Sequence, residues 1–173
     1  MKYSTTFRVR TTYECGPDGS VLHATLVRMA LQVGYLVTRA YRLDELMAAQ
    51  QTTFVIRKLQ FEAEALTQGD EELVATTWLS DVRRFRGLRE VTFAGANGQV
   101  VARVSLDWVY VRRSDFAPVR FQPQLMEQLG ETAERACTKV FETVESQTLP
   151  PTPPTVVLHV VRPYEIDINN HVN

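Results

Sequence analysis

The stretch Leu88-Arg89-Glu90-Val91-Thr92-Phe93-Ala94-Gly95-Ala96-Asn97-Gly98-Gln99-Val100-Val101-Ala102-Arg103-Val104-Ser105-Leu106-Asp107-Trp108-Val109-Tyr110-Val111 holds two runs rich in β-branched and aromatic residues around a short Gly- and Asn-containing segment. Asn-Gly between alternating runs is a strong hairpin signal, because both residues accept the backbone angles that a tight reversal demands. The spacing predicts strands over Leu88 to Phe93 and Gln99 to Val111. In the second strand the period of two puts Val100, Ala102, Val104, Leu106, Trp108 and Tyr110 on one face. Arg103, Ser105 and Asp107 fall on the other.

Working outward, Thr53 to Leu66 and Glu72 to Phe85 have the same strand composition, and Gln68-Gly69-Asp70 between them reads as the turn of another hairpin. Phe7, Val9, Thr11 and Tyr13 alternate with Arg8, Arg10, Thr12 and Glu14, which predicts an opening strand. Cys15-Gly16-Pro17-Asp18-Gly19-Ser20 then breaks the pattern, with Asp18 or Ser20 placed to cap a helix. From Leu22 onward, Leu26, Met29, Val33 and Leu36 recur at helical spacing, and Ala24 and Ala30 leave few polar positions. A helix so apolar is expected to be wrapped by other elements. The class is α+β: an antiparallel sheet of about five strands around one long helix is the economical assembly.

Leu125, Leu129, Ala133, Ala136, Val140, Phe141 and Val144 predict a second amphipathic helix over Pro123 to Thr148. Leu149-Pro150-Pro151-Thr152-Pro153-Pro154 cannot continue it, since proline lacks the amide donor and favours an extended linker. The expected organisation is a first domain over 1–148, a Pro-rich linker over 149–155 and the opening strand of a second domain over 156–173.

The chain has 173 residues and a net charge of −1, with 19 basic and 20 acidic side chains. That balance gives no global attraction to nucleic acid or to an anionic membrane. No run approaches the length of a membrane span, and Met1 to Arg8 lacks the apolar stretch of a secretory signal, so a cytoplasmic location is expected. Cys15 and Cys137 stand too far apart in sequence for a CxxC site, and no paired His and carboxylate spacing suggests a metal. All but Lys2, Lys58 and Lys139 of the basic residues are Arg. Arg83, Arg84, Arg86, Arg89, Arg112, Arg113 and Arg120 crowd together, either as a solvated face or as a patch for an acidic partner.

Near the end of the chain Asp167, Asn169 and His171 occur at i, i+2 and i+4. On an extended segment they share one face, bringing together an acceptor, an amide and an imidazole that titrates near neutrality. Such a set can orient a carbonyl and a water; a polar chain end in a turn is the plainer reading. Cys15 could be a nucleophile near a helix start or a small semi-buried filler, and His23 a base or a surface residue. Glu14 reads as solvated or paired with Arg, and Asp81 and Asp107 as ion-paired with neighbouring arginines. Trp78 and Trp108 on strands read as core packing or as a wall for an acyl chain.

Asp167, Asn169, His171, Val172 and Asn173, together with Phe7-Arg8-Val9-Arg10, Tyr13-Glu14, Gln32, Thr77-Trp78, Arg84-Phe85-Arg86 and Trp108-Val109, give the whole chain a resemblance to the acyl-acyl carrier protein thioesterases, which have two hotdog domains in one chain. The resemblance implies a hotdog fold and hydrolysis of a fatty acyl thioester, with acyl carrier protein as the partner or acyl-CoA as the alternative substrate. A non-catalytic acyl-binding or dimerisation module is the reading from another class. The matching residues imply that Asp167 fixes geometry, Asn169 binds the carbonyl or the attacking group and His171 polarises water. A fourth catalytic member would lie later in the second domain, so the reading frame is expected to continue by ~100 residues, the size of a small domain. Trp78, Arg83, Arg84 and Arg86 are the expected substrate-binding residues, no metal or organic cofactor is implied, and a homo-oligomer is expected. In the first domain the resemblance also shows a departure, since single-hotdog acyl-CoA thioesterases carry Asp where this chain has Cys15.

Overall fold

A computed structural model describes residues 1–139, 141, 158–163 and 166. Two compact units divide the chain, Met1–Phe141 and Glu142–Asn173. The first unit runs β1 (Tyr3–Arg8), α1 (Thr11–Glu14), α2 (His23–Ala40), α3 (Leu43–Ala49), β2 (Thr52–Ala63), β3 (Glu72–Arg83), β4 (Arg86–Ala94), β5 (Val100–Arg112) and α4 (Pro123–Leu129).

The β4–β5 hairpin forms where the Asn-Gly signal placed it. Gly98, at φ +77°, takes the left-handed conformation, its N–H donates to the Gly95 carbonyl at 2.9 Å, and Asn97 Oδ1 accepts the Gln99 N–H at 3.0 Å. The strands join one antiparallel sheet in the order β1-β3-β4-β5-β2, the hotdog arrangement, with β1 and β2 at its edges.

The expected hairpin between Thr53 to Leu66 and Glu72 to Phe85 does not form. β2 pairs with β5, from Thr52 opposite Arg112 to Ala63 opposite Ala102, while β3 lies between β1 and β4. Gln68-Gly69-Asp70 does reverse the chain, but it docks on segments before α2: the Gly69 N–H donates to Gly19 O at 3.0 Å and the Asp70 N–H to Val9 O at 3.1 Å. Turn chemistry marks a reversal without stating which strand is met next. The hairpin that forms instead joins β3 to β4 through Arg84 and Phe85.

The opening strand also shifts. It covers Tyr3–Arg8, and Thr11–Glu14 forms one helical turn whose preceding amide is captured by Glu14 Oε2, at 2.6 Å from Arg10 N. Neither Asp18 nor Ser20 caps α2, because Asp18 Oδ1 already accepts both the Ser20 N–H at 3.0 Å and its hydroxyl at 2.6 Å.

Helix α2 packs along one face of the sheet, which curves around it. Leu26, Met29, Ala30 and Val33 pack on Leu73, Ala75, Val91, Phe93, Ala102, Val104 and Leu106, while Leu22 and Tyr35 remain 44% and 45% exposed on the far side. Beyond Gly34 a second apolar cluster gathers Leu43, Met47, Leu79, Tyr110 and Leu125.

The opposite face of the sheet is polar yet buried. Glu90, with no exposed surface, accepts from the Ser80 hydroxyl at 2.6 Å, the Ser105 hydroxyl, Arg135 Nε at 2.7 Å and the Ala136 N–H at 3.1 Å. Here the expected helix over Pro123 to Thr148 is corrected. α4 ends at Leu129, Gly130 turns at φ +57°, and 131–139 is non-helical. This strap crosses the sheet, its amides captured by strand acceptors that replace the helical ones: Thr132 N by Leu79 O, Ala136 N by Glu90 and Thr138 N by Glu62. Residues 140 and 142–148 of that expected helix lie outside the described ones. Of the expected Pro-rich linker and second-domain strand, residues 149–157, 164, 165 and 167–173 lie outside the described ones.

Glu90→Ala should therefore lower stability by on the order of 3 kcal/mol, because it strips Arg135, two serines and a buried amide of one acceptor. A denaturant midpoint unchanged from the wild type would show that the strap does not depend on it. Glu62 gives a pH signature. Hydrogen bonds from the Thr138 and Lys139 amides, with smaller support from the Thr138 hydroxyl and Gln60, hold its carboxyl down at about 2. The folded-state value lies below the unfolded one, so this stabilisation is present above the unfolded value of ~4.3 and is lost as pH falls towards 2. The protection of the Thr138 and Lys139 amides, taken relative to their intrinsic exchange rate at each pH, should fall across that window in the wild type, and Glu62→Gln should flatten the dependence.

Candidate functional site

The loop between β1 and α2, the start of α2 and the sheet edge beside them form the region where the first domain could hold chemistry. Cys15 is half-buried and packs on the core beneath α2, and a Cβ at Gly69 would meet its Sγ at 3.0 Å. Burial pushes the Cys15 thiol up, and the carboxylates of Glu14, Asp70 and Asp18 push it further in the same direction. The helix start does not activate it. His23 is exposed, its ring 4.9 Å from that of Phe61, and no acid is paired with it among the described residues. Glu14 is occupied by the Arg10 amide. Among the described residues no nucleophile–base pair and no metal-ligating cluster is assembled here.

An open groove of about 620 Å³ lies between β1 and α2, lined by Arg8, Arg10, Glu14, Arg28, Gln32 and Asp70 among others. Sequence reasoning missed it, because its walls come from three segments that share no motif.

The expected substrate-binding residues do not converge. Trp78 lies on the strap side of the sheet, away from α2, where its indole N–H donates to Glu134 O at 2.7 Å and Lys2 Nζ stands 4.5 Å from the ring centroid. Trp108 lies on the helix side, edge-on to Phe54 at 6.2 Å, and its indole nitrogen has no acceptor among the described residues. Arg83 is paired with Asp81 at 3.0 Å. Arg86 shares Asp107, itself 1% exposed, with Arg57, at 2.8 and 2.6 Å. Arg84 is exposed in the β3–β4 turn at φ +42° and is not ion-paired among the described residues. Arg89 points to the other side of the sheet, against α2. Arg112 pairs with Asp115, and Arg113 donates to Thr52 O. The basic cluster legible in sequence is thus dispersed over both faces, with Arg83, Arg86 and Arg112 paired to carboxylates. Asp167, Asn169 and His171 lie outside the described residues.

These surroundings make Cys15 a spectator. Its alkylation by iodoacetamide at pH 7.5 should be slower than that of an unstructured cysteine peptide, whose thiol titrates near ~8.5. Alkylation faster than the peptide's would mean that the helix start outweighs the three carboxylates.

The fold agrees with what the chain is similar to. The family described as acyl-ACP thioesterase N-terminal domain matches residues 1–129. Among curated proteins no sequence matches. A Lactobacillus plantarum structure described as an oleoyl thioesterase superposes with a TM-score of 0.83 at 22% identity, covering 100% of this chain and 66% of its own. An acyl-ACP thioesterase from Bacteroides thetaiotaomicron gives 0.74 at 17% identity, over 99% of this chain and 68% of that one. The 4-hydroxybenzoyl CoA thioesterase from a Pseudomonas species gives 0.63 at 13% identity, over 73% of this chain and 98% of its own. The chain thus spans just under two thirds of the Lactobacillus protein. With the family matched over most of its length on a sheet-and-helix unit of the same fold, this chain belongs to the acyl-ACP thioesterase family and carries its N-terminal domain.

Proposed function

We propose that the protein hydrolyses the thioester between a fatty acyl group and the phosphopantetheine arm of an acyl carrier protein, releasing the free acid. The observation that carries this reading is the family match over 1–129, joined to a chain end that reads Asp167-Ile168-Asn169-Asn170-His171-Val172-Asn173. The first domain, lacking an assembled acid–base pair among its described residues, is the supporting half, and Asp167, Asn169 and His171 are the catalytic residues.

In this reaction His171 takes a proton from water as the water oxygen adds to the thioester carbonyl carbon. Asn169 binds the carbonyl or the attacking water, and Asp167 fixes the geometry of the set. The C–S bond then breaks, the departing sulfur takes the proton from His171, and the products are a carboxylic acid and a free thiol. Donors aimed at the oxyanion supply much of such a rate, since charge develops there only in the transition state.

His171→Ala or Asn169→Ala in the native protein should lower kcat by about 10²–10⁴-fold, and the double variant should lose little more, because members of one catalytic set act non-additively. Full activity in both single variants rejects the assignment. For the partner, Arg84 is the arginine of the expected set whose charge is free among the described residues. Arg84→Glu should raise KM for carrier-bound substrate and leave a small soluble thioester unaffected, with the effect shrinking as salt rises. Equal KM changes for both substrates, or faster turnover of acyl-CoA than of acyl carrier protein, would move the reading to a CoA thioesterase.

A further inference from the structure

The side of β4 that faces α2 carries one charge in an apolar interface. Arg89 is 8% exposed, and its stem lies against the helix backbone: a Cβ at Gly34 would stand 3.4 Å from Arg89 Cδ and 3.7 Å from Nε. Glycine at 34 leaves the guanidinium its place between the two apolar clusters.

Its partners fall short of its donors. Guanidinium offers five N–H groups, and the one hydrogen bond it makes among the described residues is a long one, from Nη1 to Thr77 Oγ1 at 3.4 Å. That hydroxyl already donates to Glu90 O at 2.8 Å. No carboxylate forms an ion pair with Arg89 among the described residues, and its chain neighbour Glu90 is turned to the opposite face, where Arg135 and two serines hold it. Burial lowers the guanidinium to about 10, which leaves it charged at neutral pH. A charge taken out of water without a counterion is costly, and an acceptor brought to it recovers part of that cost.

Space for an acceptor adjoins it. A small cavity lined by Arg89, Tyr3, Val37, Tyr41 and Leu79 offers about 10 Å³ to the centre of a water-sized group, roughly one such group. Met1, 52% exposed, forms part of the wall on the solvent side.

We propose that this cavity is a binding site for one small monovalent anion, a halide or a single carboxylate group, held by the Arg89 guanidinium beneath α2. The proposal does not rest on the thioesterase reading, since the site is built wholly from residues of the first unit. A ligand that binds only the folded chain raises its unfolding temperature with concentration.

The test is thermal unfolding of the wild type and Arg89→Met in sodium bromide, sodium formate and sodium gluconate at fixed ionic strength. Bromide stands for a free halide, formate for the carboxylate of a larger ligand, and gluconate for an anion too bulky to enter. Bromide, formate or both should raise the wild-type Tm saturably above its value in gluconate, and Arg89→Met should show no such difference. The arm that responds identifies the source. The same increment in both proteins, or none in either, overturns the proposal. Should Arg89→Met fail to fold, crystals of the wild type soaked in bromide decide. Anomalous density within hydrogen-bonding distance of the guanidinium supports the site, and its absence there refutes it.

Discussion

Period-two alternation along β3, β4 and β5 is the constraint on which both faces of this domain depend. Arg89 and Glu90 are joined by one peptide bond, yet they serve opposite sides of the sheet. A shift of one residue in the register of β4 would turn Val91 and Phe93 to the polar face and carry Glu90 into the apolar interface under α2. Burial of α2 on one side and capture of the strap on the other therefore select the same register, and each reinforces the other. The apolar side supplies most of the driving force, through Leu73, Ala75, Val91, Phe93, Val104 and Leu106 against the helix. The polar side supplies direction, because the buried Glu90 carboxylate is satisfied by four donors, two of them on the strap, when the strap lies as it does.

Much of this is legible in the sequence, and the boundary of legibility is physical. The β4–β5 hairpin can be read because Asn97 and Gly98 satisfy a local backbone requirement, and the faces of β5 because side-chain alternation is local too. The pairing of β2 with β5 cannot, since it depends on where the Gln68-Gly69-Asp70 turn docks, and that is decided by the distant carbonyls of Gly19 and Val9. The strap reads as helix for a related reason. Leu125, Leu129, Ala133 and Ala136 do recur at helical spacing, but Glu62 and Glu90, distant in sequence, take the amides of Ala136, Thr138 and Lys139. Proximity in sequence misleads in the arginine cluster as well: Arg83, Arg86 and Arg89 look like one patch, and strand alternation with the pairing to Asp81 and Asp107 separates them.

The candidate site shows the same division. Cys15 reads ambiguously in sequence, and the structure resolves it by surrounding the thiol with carboxylates and an apolar floor. Tertiary proximity also exposes what no motif announced, the groove beside β1 and the buried Arg89. The motif of Asp167, Asn169 and His171 is the reverse case, carried by spacing and resemblance, and it is where the chemistry of the proposed reaction is placed.

The central functional claim is that water, acting as nucleophile, cleaves an acyl thioester. Turnover of acyl carrier protein substrate by the native protein in water enriched in oxygen-18 tests it directly, with mass spectrometry of the released acid. The account predicts one heavy oxygen in the carboxylate and a free carrier thiol in equal amount. Release of unlabelled acid, or an acyl group passed intact to another acceptor, would contradict it.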